Sequence, residues 1–269
     1  MLPVAGQGAL RPRRCVKIPK RAVKRPERRE APPTRRVPST PSMPAAAPEA
    51  FVKHLHVALP ARTPSSFDDF AALVSPMFDL VQTDVRTPFQ ARVDTTLLPD
   101  LFLSQTRAAG TRYIRDEKVI ARSGTDAIVV LVYRTGEFTL EIDGRHERIQ
   151  PGEVVFIDLR QPICIQAERV DNVSLVVSRQ RLEALSPRVP DLHGFVLRTG
   201  ALRDLLLSHL LALADAAPRL PAAEADLLSD LSVRLVAASL NGMSRRLAAS
   251  SRHADQALLP VDEMRRRLD

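Results

Sequence analysis

Hydrophobic positions recur with three different periods along this chain. Phe67, Phe70, Val74, Met77 and Phe78 stand three and four apart, the spacing of one face of an amphipathic helix of about three turns. Ser65 or Ser66 stands where it can cap that helix. Asp68 and Asp69 fall in its first turn, where the helix dipole favours anions. From about Asp84 the period becomes two. Short runs rich in β-branched and aromatic residues follow one another: Leu101–Ser104, Thr111–Arg115, Ile128–Tyr133, Phe138–Ile142, Val154–Ile157 and Val173–Val177. Asp143-Gly144 sits between two such runs as a two-residue hairpin signal, and Pro151-Gly152 is a second turn. After Pro190 the period lengthens again. Ala201–Ala217 predicts a helix closed by Pro218, and a second helix runs from about Ala222 through Leu240. The short link between Pro218 and Pro221 makes these an antiparallel hairpin. Leu227, Leu228, Leu231, Leu235 and Ala238 share one stripe of the second helix. The fold class expected is α+β: a small antiparallel β-barrel, then a helix hairpin.

Residues 1–50 break all three patterns. Ten prolines forbid a continuous helix or central strand, and Arg, Lys and Ala between them bury too little to offset ordering entropy. This reads as a disordered Pro/Arg-rich tail. It carries 12 basic against 3 acidic residues, whereas residues 51–269 carry 27 against 28, a net of −1. The balance of the body argues against a broad basic face for nucleic acid. The tail reads as a phosphate-neutralising arm or as a solvated leader. The longest apolar run, Ala127–Tyr133, is far short of a membrane span. Cys15 and Cys164 are too few for a disulfide framework, and MLPVAGQGAL has no basic region before an apolar stretch. A cytoplasmic protein without membrane contact is expected.

Candidate chemistry is sparse, and neither catalytic, metal-binding nor cofactor-binding residues are expected. Among His54, His56, His146, His193, His209 and His253, only His54-x-His56 has ligand-like spacing. That pair reads as an entry strand ahead of the first helix, outside the barrel hairpins. His146 reads as a surface residue, and His209, inside a leucine-rich helix, as a hydrogen-bonded core or interface histidine. There is no G-x-S-x-G elbow and no phosphate-binding glycine loop. Cys164 reads as a small buried hydrophobe. The carboxylate pairs Asp68/Asp69 and Glu137/Glu141 are accounted for by helix capping and an exposed strand face. Gly242 has the spacing of a helix-turn-helix corner within Ala238–Ser244; ending the long second helix is the reading preferred for it. Phe138, Leu140 and Ile142 share one strand face and Thr139 and Glu141 the other. Which face lines the barrel is not decided by the sequence, so ligand-binding residues are left unknown.

Taken in order, these elements resemble the regulatory half of AraC/XylS-type transcription factors, of the cupin-like sensing class. The resemblance spans about Phe51–Ala249 and is most specific over Gly124–Val177, which contains GEFTLEIDGRHERIQPGEVVFIDLRQP. The motif positions are Asp143-Gly144, Pro151-Gly152-Glu153, Val154–Ile157, Asp158 and Pro162, with VVSRQRLEAL (Val176–Leu185) as the exit into the helical part. By resemblance, 51–250 is a regulatory domain, with entry helix and barrel over 51–178 and a helical dimerisation part over 179–250. A frayed segment, 251–269, follows. The implied function is sensing of a small effector in the barrel and homodimerisation through the hairpin stripe, Leu227, Leu228, Leu231, Leu235 and Ala238. DNA binding would come only through a helix-turn-helix half not seen in this chain, where VDEMRRRL (Val261–Leu268) reads as its first turn or as a scrambled end. The alternatives are a metal-dependent cupin enzyme and a sequence-blind nucleic-acid binder using the basic arm.

Overall fold

The computed structural model describes residues 52–60, 66–186 and 192–257, the stretch from 243 onward as helix backbone alone. The tail over residues 1–50, with Cys15, lies outside the described residues. So do Ser65 and Val261–Leu268, and the side chain of His253 is likewise not described.

Among the described residues, ten strands form one antiparallel sheet that bends back on itself. They are β1 (Lys53–Leu59), β2 (Asp79–Gln82), β3 (Ala91–Leu98), β4 (Leu101–Arg115), β5 (Ala127–Tyr133), β6 (Phe138–Ile142), β7 (Arg145–Ile149), β8 (Val154–Asp158), β9 (Ile163–Ser178) and β10 (Phe195–Leu197). The helices are α1 (Ser66–Val74), α2 (Glu117–Ser123), α3 (Arg179–Leu185), α4 (Ala201–Ala216) and α5 (Ala222–Ala257). The main path runs β1-β3-β4-β9-β5-β8-β10, while β2 pairs with the far part of β4, and β6 with the near part of β9 and with β7. The Asp143-Gly144 turn joins β6 to β7 with both residues at positive φ, 50° and 74°, as a two-residue type I′ loop requires.

Two strands are longer than the sequence predicts. Leu101–Ser104 and Thr111–Arg115 are one 15-residue strand, and Val173–Val177 is the end of one of 16 that begins at Ile163. The alternation hides this because it changes parity midway. In β4, Leu101 and Leu103 face the helices, whereas Phe102 and Ala108, and then Ala109 and Tyr113, face the barrel interior. The change falls beside Gly110, where a Cβ would run into the Thr83 hydroxyl and lie 2.9 Å from the Glu168 carbonyl. In β9, Ile163, Ile165 and Ala167 face inward, and then Val170 and Val176 do. Ala108 pairs with Val170 and Thr111 with Ala167, so both strands turn the corner together.

Two apolar clusters result. Phe70, Phe78, Phe89, Tyr113, Tyr133, Phe138, Leu140 and their neighbours fill much of the barrel. On the outer side of the sheet, Val130, Val132, Phe156 and Leu175 pack with Leu206, Leu210, Val233 and Leu240 of α4 and α5. All seven residues of β5 are buried because both of its faces are covered.

The helix hairpin forms as the spacing predicts. Leu202 approaches Gly242 and the His209 ring meets Ser232 at 2.8 Å, pairings that run in opposite senses along the two helices. Gly242 does not end the second helix and does not form a helix-turn-helix corner. α5 continues to Ala257, and Gly242 sits inside it because Leu202 Cδ1 would lie 2.5 Å from any Cβ there. The entry helix is shorter than predicted, ending at Val74. Ser66 lies within it and donates to the Pro60 carbonyl at 2.8 Å instead of capping.

His54 and His56 are corrected in place. They lie on β1, which pairs along its length with β3, so the pair belongs to an edge of the barrel sheet. His54 bonds Thr96 at 3.0 Å and His56 bonds Asp94. Polar edges of this kind, like the exposed Arg145–Arg148 on β7, discourage strand addition by other chains.

Candidate functional site

The inner face of the barrel carries two cross-strand rows of uncharged polar groups. One runs Thr95, Ser104, Ser174 and Leu131 across β3, β4, β9 and β5; the next runs Val93, Thr106, Asn172 and Tyr133. Strand alternation places these on the side of Ala91, Val93, Ala108 and Val176, all members of the interior cluster. Thr95 Oγ1 and Ser104 Oγ lie 3.0 Å apart. Thr95, Thr106 and Ser174 keep partial solvent access, while Ser104 and Asn172 are each 9% exposed. Small hydroxyls that are inward-facing yet partly wet mark a surface reached by solvent rather than a closed apolar core.

Tyr133 ends the second row, and the buried Tyr113 lies near it. Burial pushes the Tyr133 hydroxyl well above its ordinary value and keeps it protonated, although a bond to Asn172 opposes this by favouring ionisation. Tyr113, on the opposite part of the barrel wall, is also held well above its ordinary value by burial and then by the nearby Tyr133. Its ring is boxed edge-on by Phe70 and Phe78, at 6.5 and 5.9 Å between centroids. Its hydroxyl is buried and has no hydrogen-bond partner, an arrangement that costs about 1–3 kcal/mol until something supplies one.

Inward-pointing charge is already committed. Arg115, 1% exposed, spends its guanidinium on the Leu159 carbonyl at 2.6 Å, the Met77 carbonyl at 2.5 Å and Ser123 Oγ at 2.9 Å. It closes one end of the barrel. Nearby, Arg179 and Asp158 form an ion pair at 2% and 3% exposure, and Arg179 also donates to Asp126 at 2.6 Å. Burial pushes Asp158 up, but the Arg160 N–H and the Arg179 charge more than offset it, and the carboxyl stays below its usual range. Sequence reasoning missed both arginines, since a charged residue in a strand or a first helical turn carries no mark of burial.

His193 completes this end. Its Nδ1 accepts from the Asp158 N–H at 3.2 Å, which leaves Nε2 to donate to the Pro162 carbonyl at 3.0 Å. The ring is therefore neutral, and burial holds its pKa below the ordinary 6.5 despite that bond and the charges of Asp158 and Asp143. With the folded pKa lowered, the unfolded chain takes up a proton first as pH falls. The stabilisation is thus complete above 6.5 and is lost as pH falls from there toward the folded value. Wild type should lose more stability than His193→Gln between about pH 7 and pH 5, read by urea unfolding at each pH. Parallel losses in the two chains would remove His193 from this role.

The remaining candidates fall elsewhere. Cys164 is buried, but on the outer face of the second half of the sheet, where Arg112 Nε donates to its sulfur at 3.0 Å. Glu141 does not stand on an open face: it is half-buried and pairs with Arg112 at 3.5 Å, whereas Glu137 is exposed and pairs with Arg148. Phe138 and Leu140 line the barrel. His146 is exposed. Among the described residues, no group of three or more His, Cys, Asp or Glu converges as a metal site, and no helix is long and apolar enough to cross a membrane. On the hairpin stripe, Leu227, Leu231 and Ala238 are exposed, and Leu228 and Leu235 are half-buried against the core. Leu205 of α4 is exposed as well.

The architecture is a cupin-like barrel bearing a helical half on one outer face. Among solved structures it is similar to the AraC-like transcriptional activator CuxR, with a TM-score of 0.64 and 20% identity over 70% of each chain, a likeness that shows the fold. An RmlC-like cupin from Shewanella frigidimarina overlaps 35% of this chain and 79% of its own, at 13% identity and a TM-score of 0.27. In sequence, the chain is 28% identical over 81 residues to an uncharacterized protein in the nit 5'region of Bacillus sp. (strain OxB-1). That match spans 30% of this chain and 31% of the relative, so it covers under a third of the curated protein. No protein-family model matches the chain.

Proposed function

We propose that this chain is the regulatory part of a transcription regulator, in which the barrel senses a small uncharged effector and the α4–α5 hairpin joins two copies. The observation that carries the reading is the pair of polar rows on the inner face, the second ending at Tyr133, together with the buried, partnerless hydroxyl of the nearby Tyr113. Hydroxyls, an amide and aromatic rings, with the inward arginine fully bonded, favour a neutral ligand with an apolar body and one or two hydrogen-bonding groups over an anion. The likeness in fold to an AraC-like activator supports placing such a barrel in gene regulation. The exposed Leu205, Leu227 and Leu231 support a partner surface on the hairpin, with a second copy of this chain as its occupant.

The test uses phenol as an uncharged probe and benzoate as its charged counterpart. Phenol should raise the melting temperature of the full chain and benzoate should not. Tyr113→Phe removes a buried unsatisfied hydroxyl, so it should stabilise the unliganded chain by about 1 kcal/mol and weaken the response to phenol. An equal response to both probes, or a destabilised Tyr113→Phe, would contradict the assignment.

A further inference from the structure

The inner and outer faces of the barrel meet at one place in a way that links the candidate site to the helix hairpin. Thr106, Tyr133 and Asn172 lie side by side in one inward-facing row on β4, β5 and β9. Their chain neighbours Gln105, Arg134 and Asp171 point to the opposite side, as alternation requires, and there they form a continuous chain of hydrogen bonds. Asp171 Oδ1 accepts from Arg134 Nε at 2.9 Å and pairs with Arg134 Nη2 at 2.8 Å. Arg134 Nη1 donates to Gln105 Oε1 at 2.9 Å. Gln105 Nε2 in turn donates to the backbone carbonyl of Ala214 in α4 at 2.8 Å.

That carbonyl is not an arbitrary acceptor. In an uninterrupted helix the Ala214 carbonyl would receive the N–H of residue 218. Residue 218 is proline and has no N–H. Ala214 itself is 1% exposed, so solvent access there is small. Gln105 therefore supplies the donor that the helix lacks, at the turn where α4 gives way to α5. The chain is semi-buried, with Arg134 at 20% and Asp171 at 18% side-chain exposure. The Arg134 N–H also donates to the Asp171 carbonyl at 2.8 Å, which ties the two strands at that point.

We propose that Asp171, Arg134 and Gln105 act as positioning residues that carry the state of the barrel interior to the α4–α5 turn. The inference rests on the sensor reading given above and names its regulation. A ligand that shifts Thr106, Tyr133 or Asn172 moves the strands whose next residues form the chain. The last link then tightens or releases the Ala214 carbonyl, and with it the geometry of the hairpin that carries Leu205, Leu227 and Leu231.

Gln105→Glu cuts only the last link. It is nearly isosteric and still accepts from Arg134, but it has no N–H for Ala214. Gln105→Met, which removes both links, serves as the second variant. Tyr133→Phe perturbs the interior by deleting the hydroxyl bonded to Asn172, and Thr106→Val is the alternative probe. Hydrogen exchange is read on the full chain at the amides of residues 215–217, 219 and 220, called 215–220 below. Gln105→Glu should speed exchange there about fivefold, the loss of one hydrogen bond. Tyr133→Phe or Thr106→Val should change exchange at 215–220 when Gln105 is present and leave it unchanged in the Gln105→Glu background. Equal effects of the interior change in both backgrounds, or no effect with Gln105 present, would overturn the proposal. The exchange measurement needs neither an effector nor a dimer, so a failed phenol test or a monomeric chain would sink the sensor reading without touching this result.

Discussion

Replacing Arg179 with Met lowers the stability of the folded chain by about 3–5 kcal/mol, the usual penalty for stranding one member of a buried ion pair. Both partners are almost wholly removed from water, Arg179 at 2% and Asp158 at 3%. Solvent cannot rehydrate the carboxylate once the guanidinium is gone. The Arg160 guanidinium at 3.5 Å, the Arg160 N–H at 2.9 Å and the Gln161 amide at 3.4 Å would remain, which places the loss at the lower end of that range. The site matters for architecture because Asp158 ends β8 and Arg179 begins α3, so the pair joins the barrel to its helical half. The double change Arg179→Met with Asp158→Leu should recover much of the loss, since two apolar residues of similar size leave no unpaired charge. Urea unfolding of the three chains checks this. A single-variant loss below about 1 kcal/mol, the range of surface pairs, would mean that water reaches the pair.

Leu231→Asp should abolish association at concentrations where wild type is paired, while leaving the unfolding of the isolated chain nearly unchanged. Leu231 is 49% exposed, with Leu227 at 70% and Leu205 at 58%. Substitution therefore removes little that the monomer buries. In a two-fold dimer each change is counted twice. Half-burial of one leucine contributes about 1–1.5 kcal/mol, and the aspartate adds the cost of desolvating a charge in each copy. The sum exceeds about 3 kcal/mol, a drop in affinity of more than about a hundredfold. Leu227→Asp should behave alike. Sedimentation of both variants with the association of wild type intact would move the interface elsewhere.

Much of this architecture is legible in the residues because local chemistry and tertiary context agree. Asp143-Gly144 takes the positive φ values that its turn demands, and the leucine periodicity of 201–216 delivers the buried Leu206, Leu210 and Leu213. The run Ala127–Tyr133 is uninterrupted because helices cover one face of β5 and the barrel interior the other. The misses have physical causes. Strand continuity through Gly110 is hidden by a change of parity that only a bent strand produces. Gly242 carries the look of a terminator, yet it marks a close helix–helix approach, and spacing alone does not separate the two. His54 and His56 were separable from the barrel only by their place before α1, and pairing in a sheet ignores such order.

The candidate site was half visible. Ser104 and Thr106, and Asn172 and Ser174, are small polar residues two apart, in line with the apolar Phe102 and Ala108 on one strand and Val170 and Val176 on the other, a signal that one inner face is not a plain core. Their facing one another depends on the β4–β9 register, which no single stretch of sequence contains. The bond from Gln105 to Ala214 spans 109 positions, and its reason, the missing N–H of Pro218, becomes apparent only when the two are brought together.

The most direct test of the account is the mass of the full chain in solution, by sedimentation at high micromolar concentration. A barrel that senses and a hairpin that joins two copies require a dimer, reversible on dilution and lost in Leu231→Asp. A strictly monomeric chain at that concentration would contradict the account and leave the leucines of α4 and α5 without the partner assigned to them.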